Sequence, residues 1–116
     1  MGTTCLFCKI ASREHPAKIV YEDEESVAFE DIHPKAPVHI LIIPRRHLAT
    51  ILEAGQGDDR LLGHLLLVAN SVARQKGIAE RGFRLVLNCN HEGGQAVFHL
   101  HLHLLGGQRL SWHPAS

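Results

Sequence analysis

This sequence has little that would tie it to a membrane, a polyanion or a disulfide scaffold. No stretch approaches the roughly 20 apolar residues of a membrane-spanning helix, and the opening Met1-Gly2-Thr3-Thr4-Cys5 has no cationic start followed by an apolar run. Lys plus Arg number 12 and Asp plus Glu number 12, so no net field exists to hold a nucleic acid or an anionic membrane. Cysteine comes in an odd number, 3, with two of them spaced as Cys5-x-x-Cys8. That pattern speaks for a reduced compartment and for metal or redox chemistry, and against a disulfide framework. No internal repeat or low-complexity linker interrupts the 116 residues, so the expectation is a single domain over 1–116, with a core of about 5–107 and an exposed tail, 108–116, anchored by Trp112. A soluble, cytoplasmic protein that binds neither nucleic acid nor membrane is expected.

Histidine, by contrast, is abundant: 10 residues, scattered rather than gathered as a terminal tag. Around them the pattern predicts a short helix over Leu6–Arg13, with Leu6, Phe7 and Ile10 on its apolar side, broken before Pro16. Lys18–Glu22 and Ser26–Glu30 read as a hairpin, and the apolar run Val38–Ile43, stopped by Pro44, as a central strand. Asp58 and Asp59 open one long helix, with Leu61, Leu62, Leu65, Leu66, Ala69, Val72 and Ala73 at helical spacing and Gly77 at its end. Phe83–Asn88 is a fourth strand, and Ala96–Leu105 alternates with period two as a fifth. Strands in succession with short connections predict an α+β domain with a five-stranded, mostly antiparallel sheet, one long and one short helix.

In an extended strand, residues two apart share a face about 6.6–6.8 Å apart, which puts His99, His101 and His103 in one row and Leu100, Leu102 and Leu104 in the other. Three imidazoles are costly to bury without partners, so the row needs a polar role. A solvated strand face carrying chance histidines is the plainest reading. One sharper reading makes a histidine the nucleophile, since neutral imidazole is abundant at pH 7 and also leaves readily. Another makes two or three of them ligands of a catalytic zinc. Gly93-Gly94-Gln95 just before the row offers bare backbone N–H groups and an amide, which suits phosphate oxygens and favours a phosphorus electrophile.

Residues 99–105, His-Leu-His-Leu-His-Leu-Leu, match every position of the His-φ-His-φ-His-φ-φ motif, φ being apolar, so the chain resembles the histidine triad (HIT) family. Phe29-Glu30-Asp31-Ile32, Ala36-Pro37-Val38-His39, Ile42-Ile43-Pro44, Gly93-Gly94-Gln95 and Leu104-Leu105-Gly106-Gly107 extend the resemblance to its nucleotide-binding (HINT) branch, from about Leu6 to Trp112. It implies a hydrolase acting at the α-phosphorus of purine nucleotide derivatives, phosphoramidates among them. His101 would attack to form a nucleotidyl-histidine, His103 would stand on the leaving-group side, and His99 would orient the site. Asp31 would bind the ribose, a role its chemistry allows because one carboxylate accepts from both hydroxyls. Asn88 and Gln95, with Gly94 and Val97, would lie near ribose and phosphate, and Leu6, Phe7, Ile10, Phe29 and Ile32 would sandwich the purine, core packing being the alternative role for these five. Many relatives carry Ser after Gly-Gly-Gln to protonate the leaving amine; here it is Ala96, which has no proton to give. A nucleotide-binding adaptor with weak turnover and a zinc-dependent phosphoester hydrolase are the rival functions.

Cys5-x-x-Cys8 supplies two of four ligands for a structural zinc; a redox pair or two inert buried thiols are the other readings. The resemblance to bacterial-type relatives names His47 and His99 as the remaining ligands. It also implies a homodimer, for which the apolar helix over Arg60–Lys76 is the expected interface. Cys89 is given no role.

Overall fold

The structure is a computed structural model that describes residues 4–112. Five strands form one antiparallel sheet of order β1-β2-β3-β5-β4: β1 Ile19–Glu22, β2 Ser26–Glu30, β3 Val38–Pro44, β4 Phe83–Leu87 and β5 Leu102–Gly106. Helix α1 spans Leu6–Ala11 and α2 spans Asp59–Gln75, with two 3-10 turns, Ile51–Glu53 and Gln56–Asp58, ahead of α2. The α+β architecture expected from the sequence is the one observed.

Strand pleat divides the sheet into two faces. Ala28, Ile40, Ile42, Leu102 and Leu104 pack with Leu65, Val68, Ala69 and Val72 of α2 in the larger core. Their alternates Val27, Phe29, Leu41 and Ile43 turn the other way and pack on Phe7, Ile10 and Ala11 of α1. His39 shares parity with Leu41, which is paired with His103 across β3 and β5, while Val86 of β4 is paired with His103 on the other side. The face covered by α1 is therefore the one that gathers chemistry.

Local causes are visible. The β1–β2 turn is closed by Asp23, whose carboxylate accepts from the backbone N–H groups of Glu25 and Ser26 at 2.8 Å each and from the Tyr21 hydroxyl at 2.9 Å. α1 stops two residues before the expected Arg13, because Arg13 itself takes the left-handed conformation, φ 66°, that ends a helix. α2 closes on Gly77 at φ 73° as the sequence predicts, but Leu66 is 48% exposed and Val68 takes its place in the core.

The fifth strand needs the largest correction. Ala96–Leu105 alternates in sequence, yet only Leu102–Gly106 joins the ladder, whose pairings end at Leu102 with Ile42 and Leu87. Residues 96–101 leave it because the next backbone and ring partners lie elsewhere: Leu100 N–H donates to the Leu48 carbonyl at 2.7 Å, and the Pro44 carbonyl accepts from a side chain, His99. Trp112 is likewise no anchor. It is 78% exposed, and the tail is instead held by Arg84, whose guanidinium donates to the Ser111 carbonyl at 2.9 Å. Among the described residues no helix is long and apolar enough to cross a membrane.

Candidate active site

The triad is not a row. His101 and His103 stand with ring centroids 4.9 Å apart at 62°, whereas His99 turns away, its ring 4.9 Å from that of His47. Each ring is set by one or more hydrogen bonds whose direction is fixed by the partner, because a carbonyl can only accept and a backbone N–H can only donate. His99 donates Nε2–H to the Pro44 carbonyl at 2.8 Å, which leaves the Nδ1 lone pair free. His101 donates Nδ1–H to the His99 carbonyl at 2.8 Å, which leaves the Nε2 lone pair free. His39 accepts the Lys35 backbone N–H at Nδ1, 3.0 Å, so its Nε2–H donates to His103 Nδ1 at 2.9 Å and leaves His103 carrying its proton on Nε2. Three histidines two residues apart thus present two ring lone pairs, at His99 Nδ1 and His101 Nε2, and one N–H, at His103 Nε2.

Burial disfavours the charged form of His39, His99 and His103. Desolvation lowers His39 and His99 below the usual histidine range, and desolvation together with the neighbouring His101 and His39 pushes His103 down to about 4. His39 is the residue whose role sequence reasoning missed. Its signal was one polar side chain in the apolar run Val38–Ile43, and it is only 6% exposed. Asp31 stands 3.5 Å from His39 Nε2, and the three acceptor-bearing groups Asp31, His39 and His103 lie close enough to share an ion. The Lys35 N–H aimed at His39 Nδ1 argues for a hydrogen-bond relay there instead, since it commits the Nε2 proton.

Beside the rings lies a cavity of about 660 Å³. Its lining includes the apolar Leu6, Phe7, Ile10, Phe29, Ile32, Val97 and Ala96 and the polar Asp31, Asn88, His39, His101 and His103, with Gly94 among them. Phe7, Ile10 and Phe29 are also core residues, at most 5% exposed, but Ile32 is 82% exposed and Leu6 40%, so core packing does not account for that pair. Of the expected catalytic and nucleotide-binding residues, His99 and Gln95 do not line the cavity. The Gln95 amide is spent on the loop, donating to the carbonyls of Ala49 at 2.7 Å and Val97 at 3.0 Å while accepting from Asn90 N–H at 2.8 Å. Gly93 is required in that loop, since a Cβ there would meet the Cys89 carbonyl oxygen at 2.5 Å.

Cys5, Cys8, His47 and His99 converge at the start of α1. Nδ1 of His99 lies 3.3 Å from Cys5 Sγ, 3.5 Å from Cys8 Sγ and 3.2 Å from His47 Nδ1, and Cys8 Sγ is 3.5 Å from His47 Nδ1. A tetrahedral zinc with Zn–S about 2.3 Å and Zn–N about 2.05 Å has S···N edges of about 3.6 Å and N···N edges of about 3.3 Å. The donor set fits. Burial, with the Cys5 thiol beside it, pushes the Cys8 thiol up to about 11, so a second thiolate here needs a cation to offset it.

Comparison with known proteins gives the family. The HIT domain model matches residues 12–110. An uncharacterized HIT-like protein of Synechococcus elongatus is 52% identical over 114 residues, which is 98% of this chain and 99% of that protein. The crystal structure of a HIT family hydrolase from Legionella pneumophila superposes with a TM-score of 0.94 at 51% identity, covering 97% of this chain and 100% of that one. A histidine triad nucleotide-binding protein from Candida albicans follows at a TM-score of 0.82 and 28% identity, covering 97% of this chain and 85% of that one. With the triad motif, the sheet order and the family match in agreement, the chain belongs to the HIT family.

Proposed function

We propose that this chain is a nucleotide-binding hydrolase that acts on the α-phosphorus of purine nucleoside monophosphate derivatives, AMP-amine phosphoramidates among them, through a nucleotidyl-His101 intermediate. The observation that carries it is the free Nε2 lone pair of buried His101 at the wall of a cavity lined by apolar side chains and by Asp31. His101 Nε2 forms a bond to phosphorus as the P–N bond breaks, and the departing amine takes a proton. Water then attacks phosphorus, which returns His101 and releases AMP. His103, donating from Nε2 and neutral, faces the phosphoryl group and leaving amine. Ala96 offers no proton, so His103 or water serves as donor and turnover is slower than a positioned hydroxyl would permit. Support also comes from the HIT family hydrolases and the nucleotide-binding protein among the structural relatives.

Cys5, Cys8, His47 and His99 would hold a structural zinc that fastens α1 beside the cavity; a reducing cytoplasm suits such thiols. The triad as a single zinc chelate, which a zinc hydrolase needs, is disfavoured, because His99 and His103 belong to different clusters and His101 to neither. A homodimer is proposed on two exposed features: Leu66 and Leu67 on the outer side of α2, 48% and 64% exposed, and the open edge of β4.

Steady-state release of AMP from adenosine 5′-phosphoramidate tests the reading. Wild type turns over, His101→Ala does not, and Asp31→Ala raises KM. Tight AMP binding by a wild type that releases no product would replace the hydrolase with the adaptor.

A further inference from the structure

α1 is 6 residues long, too short to hold a helix unaided, and it is fixed from both ends. At its start the Cys5 and Cys8 thiols meet His99 and His47, and at its finish the Arg45 guanidinium donates to the Ala11 carbonyl at 2.9 Å. Phe7 lies between the two thiols in sequence and is 5% exposed. Its ring stands 5.3 Å from Phe29 at 75°, 6.1 Å from His99 at 64° and 5.2 Å from His101 at 86°. Among the described residues the His101 ring has one polar tether, Nδ1–H to the His99 carbonyl, and an imidazole torsion is broad when nothing packs on it. Two rings pack on it, Phe7 and His103, and can fix the direction of its Nε2.

We propose that Phe7 is a positioning residue for the nucleophile: held in place by the Cys5/Cys8 end of α1, its ring packs edge-to-face on His101 and aims Nε2 into the cavity. The inference rests on the reading of His101 as nucleophile. It goes beyond a wall for the base, because a wall changes nucleotide affinity whereas an aiming contact changes the chemical step. It also gives the thiol cluster two routes to the nucleophile, through the Phe7 ring and through the His99 carbonyl.

The test uses metal-loaded protein and three variants, Phe7→Leu, Phe7→Met and Phe7→Tyr, with circular dichroism to confirm folding. Rapid-quench adduct formation and AMP affinity are read separately, alongside the His101 ring signals in NMR of the resting protein. Phe7→Leu and Phe7→Met should slow adduct formation about 10- to 100-fold, the range a small misplacement of a reacting atom produces, a larger factor than any loss of AMP affinity. Phe7→Tyr, which keeps the ring, should restore the rate. An unchanged adduct rate with weakened AMP binding would overturn the proposal and leave Phe7 as a wall. If wild type forms no adduct, the nucleophile reading fails on its own. The ring signals still decide the packing claim: one sharp His101 set in wild type that multiplies or broadens in Phe7→Leu supports it, and identical spectra refute it.

Discussion

The two ends of the His99–His103 segment are held by different means. His103 sits in a regular ladder, its backbone registered between Leu41 and Val86, and its ring takes direction from His39 on the neighbouring strand. His99 has left the ladder, and its position depends on a side-chain bond to the Pro44 carbonyl and on the thiols of a short helix. A continuous strand would have pointed all three rings to one side. Joining the sheet only at Leu102 lets one segment reach the Cys/His cluster and the cavity at once, with His101 between them.

That contrast can be broken at each point. The largest effect is expected from His101→Ala, which should lower turnover by at least about 10³-fold while the melting temperature stays close to wild type, read by AMP release and calorimetry. Next, Cys8→Ser should abolish stoichiometric zinc binding and lower the melting temperature, whereas His103→Gln should keep the metal; metal analysis of both proteins separates the two ends. Ala96→Ser should raise the phosphoramidase rate, by about 10-fold or more if the new hydroxyl reaches the leaving amine. Smallest is a pH effect to which the ladder end contributes through His103. With the folded His103 at about 4 and the free side chain at 6.5, the unfolded chain binds more protons between those values, so this group makes stability fall as pH drops from 6.5 towards 4. His103→Gln should flatten that part of the urea-denaturation profile against pH.

The regular end of the molecule was the legible one. Ser26–Glu30 was read to the residue because its turn is written locally, in Asp23 and Ser26. α2 ended where Gly77 said it would. The irregular end was not legible, because alternation in Ala96–Leu105 satisfies a strand pattern whether or not a neighbour is there to pair, and the competing acceptors, the Leu48 and Pro44 carbonyls, lie about 50 residues away. The two 3-10 turns escaped for a gentler reason: their caps, Thr50 accepting from Leu52 N–H and Asp58 accepting from Gly55 N–H, are polar residues that read equally well as loop. Among the site residues, the motif brought His99, His101 and His103 into view as a group but said nothing of their separate directions. His39 came into view only inside the motif Ala36-Pro37-Val38-His39 and without a role, because a lone histidine in an apolar run carries no spacing to read.

The most direct test of the account is the mass of the protein itself, quenched during turnover of adenosine 5′-phosphoramidate and followed by peptide mapping. An adenylyl adduct on His101, absent from His101→Ala and present in a metal-depleted sample that remains folded, is the predicted result. Product release that depends on added metal, with no adduct at any quench time, would contradict it.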